Sequence, residues 1–143
     1  MNNIEPMALK VLLIDDDPAM TELLALLLKT HGYLPLEAFS GEDGVRHIHS
    51  DSPDVVILDL MMPGMDGWQV CGEVRKFSNV PILILSALDN PGLVARALDA
   101  GADDYLVKPV PSGVLVAHLN QLTRRAGMNN RVRLPTQVVH VVA

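Results

Sequence analysis

The sequence predicts an α/β fold, a five-stranded parallel sheet wound on both faces by helices. Three observations carry that prediction. Short apolar runs alternate five times with helical patterns, strand before helix each time. The runs at 11–14 (VLLI) and 55–58 (VVIL) contain no polar residue, as strands buried on both faces require. Three runs end in chemistry-bearing side chains: Asp15-Asp16-Asp17, Asp59 and Lys108.

Taken in order, residues 11–14 form the first strand. Asp17 before Pro18 starts a helix, since the carboxylate caps free N–H groups and proline suits the first turn. Met20, Leu23, Leu24, Leu27 and Leu28 recur at helical spacing, which predicts a helix over 18–30 with an apolar face. Residues 33–39 hold a second strand. Ser40, with Asp43 three residues on, opens a second helix that turns Val45 and Ile48 inward. The third strand, 55–58, runs into Asp59 and a turn through Pro63, Gly64 and Gly67. Asp66 or Gly67 opens the third helix, with Val70, Val74 and Phe77 inward. Residues 80–85 form the fourth strand, closed by Ser86. Asn90-Pro91 begins the fourth helix, with Leu93, Val94, Ala97 and Leu98 on one side and Gly101 as its stop. Residues 105–107 form the fifth strand, and Ser112 caps a fifth helix carrying Leu115, Leu119 and Leu122. Right-handed crossovers leave the flavodoxin-like (βα)5 order 2-1-3-4-5, whose switch point lies beside the first and third strands. Asp15, Asp16 and Asp59 would meet there, at the edge where open α/β sheets bind ligands. Asp17 is explained by capping; Asp15 and Asp16 are not, and adjacent carboxylates repel unless a cation or a proton relieves them. Two acidic strand ends and one lysine suit the joint holding of Mg²⁺ and a phosphoryl group.

At 143 residues, 49% hydrophobic but 3% aromatic, the chain suits one domain with an aliphatic core. No apolar run approaches the ~20 residues of a membrane span. The first eight residues lack a secretory pattern, and the lone Cys71 excludes an internal disulfide. A cytoplasmic protein without a membrane partner is the expectation. Up to Asp104 there are six Lys/Arg and all 17 Asp/Glu, for −11; beyond it, five Lys/Arg and no acid give +5. An acidic body does not suggest nucleic-acid binding by this domain itself.

The motifs at these positions resemble the response-regulator receiver domain of two-component signalling. They are Ile14-Asp15-Asp16-Asp17-Pro18, Leu58-Asp59-Leu60-Met61-Met62-Pro63-Gly64-Met65-Asp66-Gly67, Ile84-Leu85-Ser86-Ala87 and Gly101-Ala102-Asp103-Asp104-Tyr105-Leu106-Val107-Lys108-Pro109. They fall in the family's order across residues 9–125 and are most similar to receivers joined to winged-helix DNA-binding domains. The expected division is a flexible segment 1–8, a receiver domain 9–126 and a linker or tail 127–143. Residues 131–142 of that tail resemble the first strands of a winged-helix output domain.

The resemblance implies a phosphorylation-controlled switch. Asp59 would accept a phosphoryl group from a sensor histidine kinase or phosphotransfer protein. Asp16, Asp59 and the backbone carbonyl of Met61 would bind Mg²⁺ directly, and Asp15 through water. Lys108 would pair with Asp59 before reaction and with phosphoryl oxygens after it. The Ser86 hydroxyl would move to the new phosphoryl group, with Tyr105 turning inward as it does. A cis bond is expected before Pro109. The domain would catalyse only its own phosphorylation and dephosphorylation, so it is not an enzyme toward other substrates. Output would pass through the face of the fourth helix, fifth strand and fifth helix, with transcription as its end and DNA reached only through a further domain.

The chain departs from its nearest relatives at Val110, where they carry Phe, at His118, where they carry Arg, and at Leu93 and Val94, where they carry charges. There Asp103 or Asp104 would meet such an Arg across a dimer. A weak homodimer held by apolar contact is therefore expected. The rival reading is a haloacid-dehalogenase-like phosphatase with Asp15 as nucleophile, Ser86 and Lys108 assisting. Pro18 and the unexplained Asp59 tell against it. His47 and His49, two apart on a helix, cannot face one metal. His31, His118 and His140 are expected at the surface, Cys71 in the core, and Trp68 over the start of the third helix.

Overall fold

The computed structural model describes residues 8–130. Within them five strands and five helices alternate: β1 Leu9–Ile14, α1 Pro18–Lys29, β2 Tyr33–Ala38, α2 Gly41–Asp51, β3 Val55–Leu58, α3 Gly67–Arg75, β4 Ile82–Ser86, α4 Pro91–Asp99, β5 Asp104–Val107 and α5 Ser112–Asn130. The strands form one parallel sheet in the order β2-β1-β3-β4-β5, as expected. The N-terminal residues 1–7, His140 and the strand-like tail lie outside the described residues. α5 reaches Asn130, into the stretch expected as linker.

Alternation along the central strands builds two cores. Leu12, Ile14, Val56, Leu58, Ile82 and Ile84 face α2, α3 and α4; Val11, Leu13, Val55, Ile57, Leu83 and Leu85 face α1 and α5. These side chains are essentially inaccessible to water, which is why their strands carry no polar alternation. Cys71 lies in the first core, where burial pushes its thiol up to about 11. Asp17 caps α1 by accepting from the Ala19 N–H, and Asp66 forms a reciprocal capping box with Gln69 on α3.

Helical spacing misjudged several faces. Leu23 is 64% exposed; Leu24 and Leu28 are buried as expected, but Thr21 and Ala25 join them. The helix is apolar nearly all round, so periodicity there marks no single face. The buried Thr21 hydroxyl is tolerated because its single proton is shared between the Glu37 carboxylate, at 2.7 Å, and the Pro18 carbonyl, at 3.0 Å. Phe77 lies beyond α3 and stacks on His49, with ring centroids 3.6 Å apart. Of the expected α4 face only Ala97 is buried. Ser112 is the first residue of α5 and not its cap, because the Pro111 carbonyl accepts the first helical bonds, from Val114 and Leu115.

Candidate functional site

The sheet brings the acidic strand ends together. Ile14 and Leu58 are register partners on β1 and β3, so the next residue of each strand, Asp15 and Asp59, leaves the sheet side by side. Their backbones stay anchored there: Asp59 donates to the Ile14 carbonyl and Asp15 to the Ala38 carbonyl. Asp16 follows at the surface, and one carboxylate oxygen from each of Asp15, Asp16 and Asp59 lies within 4.8 Å of the others. Two sheet positions away, the Lys108 N–H bonds the Ser86 carbonyl, and Lys108 Nζ reaches to 3.4 Å from Asp15 Oδ2 and 4.0 Å from Asp59 Oδ1. The lysine is thus shared and sits nearer Asp15 than the acceptor with which it was expected to pair. The Lys108–Pro109 bond is cis, as expected.

Burial, then the neighbouring Asp15 charge, pushes the Asp59 carboxyl up to about 6, against the pull of Lys108 and the Leu60 N–H. Three carboxylates against one ammonium leave the cluster short of positive charge. A hard divalent cation fits such an oxygen set, and Mg²⁺ is the ion that suits few carboxylates with water completing its shell. Gly67 lets α3 start directly behind this cluster, since a Cβ there would come within 2.6 Å of the Asp59 carbonyl oxygen. Gly64 turns the intervening loop at φ +75°. Met61 stands 60% exposed at the rim.

Ser86 and Tyr105 are linked by a residue that the sequence does not single out. The Leu88 N–H donates to Ser86 Oγ at 3.2 Å, and the Tyr105 hydroxyl donates to the Leu88 carbonyl at 2.6 Å. One backbone unit of the β4–α4 loop is therefore gripped from both sides. Its side chain carries no chemistry, so no motif could have marked it. Two further contacts also escaped the sequence. Arg75, at the end of α3, donates to the carbonyls of Gly101, Ser78 and Val80 and to Asp103. His118 on α5 pairs with Asp104 on β5. Both acids expected to face a dimer partner are thus engaged within the protomer. His47 lies between Asp43 and Asp51 on α2.

The response regulator receiver domain family matches residues 11–120. The chain belongs to that family. It is 43% identical over 116 residues to a probable transcriptional regulator, ycf27, of Guillardia theta, covering 81% of this chain and 46% of that one. It is 42% identical over 115 residues to the transcriptional regulatory protein AfsQ1 of Streptomyces coelicolor, covering 80% and 51%. The chain spans about half the length of these relatives. Among solved structures, the receiver domain of Francisella response regulator 1452 superposes with a TM-score of 0.78 at 34% identity, covering 82% of this chain and 98% of that one. The two curated relatives are transcriptional regulators and the solved structure is a response-regulator receiver, and nothing in them favours a dehalogenase-like phosphatase. No described helix is long and apolar enough to cross a membrane.

Proposed function

We infer that this receiver domain is switched by phosphorylation of Asp59, with a sensor histidine kinase or phosphotransfer protein as donor and transcription as output. The observation that carries the reading is the juxtaposition of Asp59 with Asp15, Asp16 and Lys108 at one sheet edge. A carboxylate is a competent nucleophile toward a phosphoryl group. Asp59 attacks the donor phosphorus, and the bond to the donor breaks as the acyl phosphate forms. Lys108, within reach of both Asp15 and Asp59, meets the phosphoryl oxygens. Ser86 Oγ leaves the Leu88 N–H for one of those oxygens. Asp16, Asp59 and the Met61 carbonyl would hold Mg²⁺, with Asp15 assisting through water; when bound, the ion would neutralise charge on the transferring group. The domain acts on its own acceptor alone.

Tyr105 and Ser86 change together because both hold Leu88, and the α4-β5-α5 face changes with them. That face exposes Leu98, Val107 and Val114. A weak homodimer through it rests on apolar contact, since Asp103 and Asp104 are engaged internally. DNA is reached only through a domain beyond this one, and the protein works in the cytoplasm.

Incubation with Mg²⁺ and a small phosphodonor, followed by borohydride reduction and peptide mapping, should place the adduct on Asp59. An adduct on Asp15 that persists in Asp59→Asn would refute the reading. In sedimentation, association should strengthen with beryllofluoride and vary little with salt. A dimer that dissociates in salt but tolerates Leu93→Asp would refute the apolar interface.

A further inference from the structure

The helix joined to the switch loop is poorly anchored by burial. Of the nine residues of α4 only Ala97 is buried, whereas α1 and α3 each bury four. Its first turn holds Gly92, a weak helix former. Segments with few buried apolar contacts open at lower free energy than the rest of a domain. On the flank of α4, the Arg96 guanidinium carbon lies 4.3 Å from the centroid of the Trp68 ring on α3. Trp68 packs against the same core as Leu88 and Tyr105. Its indole Nε1 is buried with no hydrogen-bond partner among the described residues. Buried indole donors usually find an acceptor, so Trp68 holds this contact with its own donor unpaired.

We propose that Arg96 seated on Trp68 is a latch that holds α4 against α3 in the unphosphorylated domain and sets how readily the switch turns over. The proposal rests on the receiver reading above. The hydroxyl expected to turn to a phosphoryl group on Asp59 is the one that accepts from the Leu88 N–H, so its movement pulls on that bond. Leu88 leads through Asp89 and the cap Asn90 directly into α4. A shift of Leu88 carries that helix and draws Arg96 off the indole. The phosphoryl group and the cation–π contact therefore favour opposite positions of one helix. A contact made in only one arrangement shifts the equilibrium by its own differential strength.

Trp68 is the sole tryptophan, so its fluorescence reports on the latch directly. The full chain in Mg²⁺ is titrated with beryllofluoride, following Trp68 emission together with the amide NMR signals of Ser86 and Tyr105. Arg96→Ala should reach its midpoint at about two- to fivefold lower beryllofluoride, the factor expected of a partly exposed cation–π contact. Arg96→Lys, which keeps the cation, should titrate close to wild type. An unchanged or higher midpoint in Arg96→Ala overturns the latch, as does an equal shift in Arg96→Lys. A wild-type chain with no response that depends on Asp59 would overturn the receiver reading and, with it, the latch.

Discussion

Replacing Asp59 by Asn should stabilise the metal-free domain, although it removes the residue on which the proposed function depends. Burial and the Asp15 charge raise the Asp59 carboxyl from 3.8 to about 6. The fold therefore favours the protonated form, and that contribution is fully present below pH 4. As pH rises through 6 the folded chain must ionise a carboxyl that the unfolded chain ionises more easily, so stability is lost. Two pH units at 1.36 kcal/mol each set the loss at about 3 kcal/mol by neutral pH. Asn fills the same space, can accept the Leu60 N–H and has no charge to bury. Thermal unfolding in EDTA at pH 8 should put Asp59→Asn above wild type, with a gap of about 10 °C for a domain of this size. At pH 4 the gap should close, since both side chains are then neutral. Mg²⁺ should narrow it at pH 8 by binding the folded wild type alone. A gap equally wide at pH 4 would show that packing rather than ionisation is responsible. A wild type as stable as the variant at pH 8 would show that Lys108 already neutralises the site.

Asp16→Ala should abolish Mg²⁺ binding, read by calorimetric titration. Asp17→Ala should keep it and lose about 1 kcal/mol of stability in urea denaturation, because Asp17 caps α1. Arg75→Ala should cost about 2–3 kcal/mol in the same assay, since it strips the carbonyls of Gly101, Ser78 and Val80 of a donor. Gly67→Ala should cost about 1–3 kcal/mol and weaken Mg²⁺ binding, because its Cβ would press on the backbone of Asp59 and Leu60.

The acidic sheet edge was legible in the sequence because strand-end residues inherit their place from the sheet. Once β1 and β3 are neighbours, Asp15 and Asp59 have no freedom to be elsewhere. Helix faces were less legible. In α1, Leu23, Leu24, Leu26, Leu27 and Leu28 offer apolar side chains in several directions. Which direction is buried depends on α5, β1 and β2 together, and α1's own period does not contain that. The side-chain partners of Arg75, Arg96 and His118 were hidden for a different reason. Each reaches across to another element, and long polar side chains satisfy their hydrogen bonds wherever the fold offers an acceptor.

That opportunism bears on how the signal leaves the domain. Relatives of this chain, by the resemblance, set an Arg where His118 stands, long enough to reach a second protomer. The shorter His118 turns instead to Asp104 one element away, and Arg75 takes Asp103. The acids of β5 and its preceding turn are thereby tied to α3 and α5 of their own chain. On the proposed reading, phosphorylation would have fewer free charges to present to a partner, since these acids are already paired within the protomer. The movable part is then narrowed to α4, with one buried residue, and to Leu88, whose backbone is bonded by the two side chains expected to respond at Asp59. Exposed ion pairs contribute little, about 0–1 kcal/mol each. Moving a helix that carries Leu93, Val94 and Leu98 changes far more apolar area than any such pair. On the proposed reading, the output face would therefore act mainly through aliphatic surface, with charge holding its frame still.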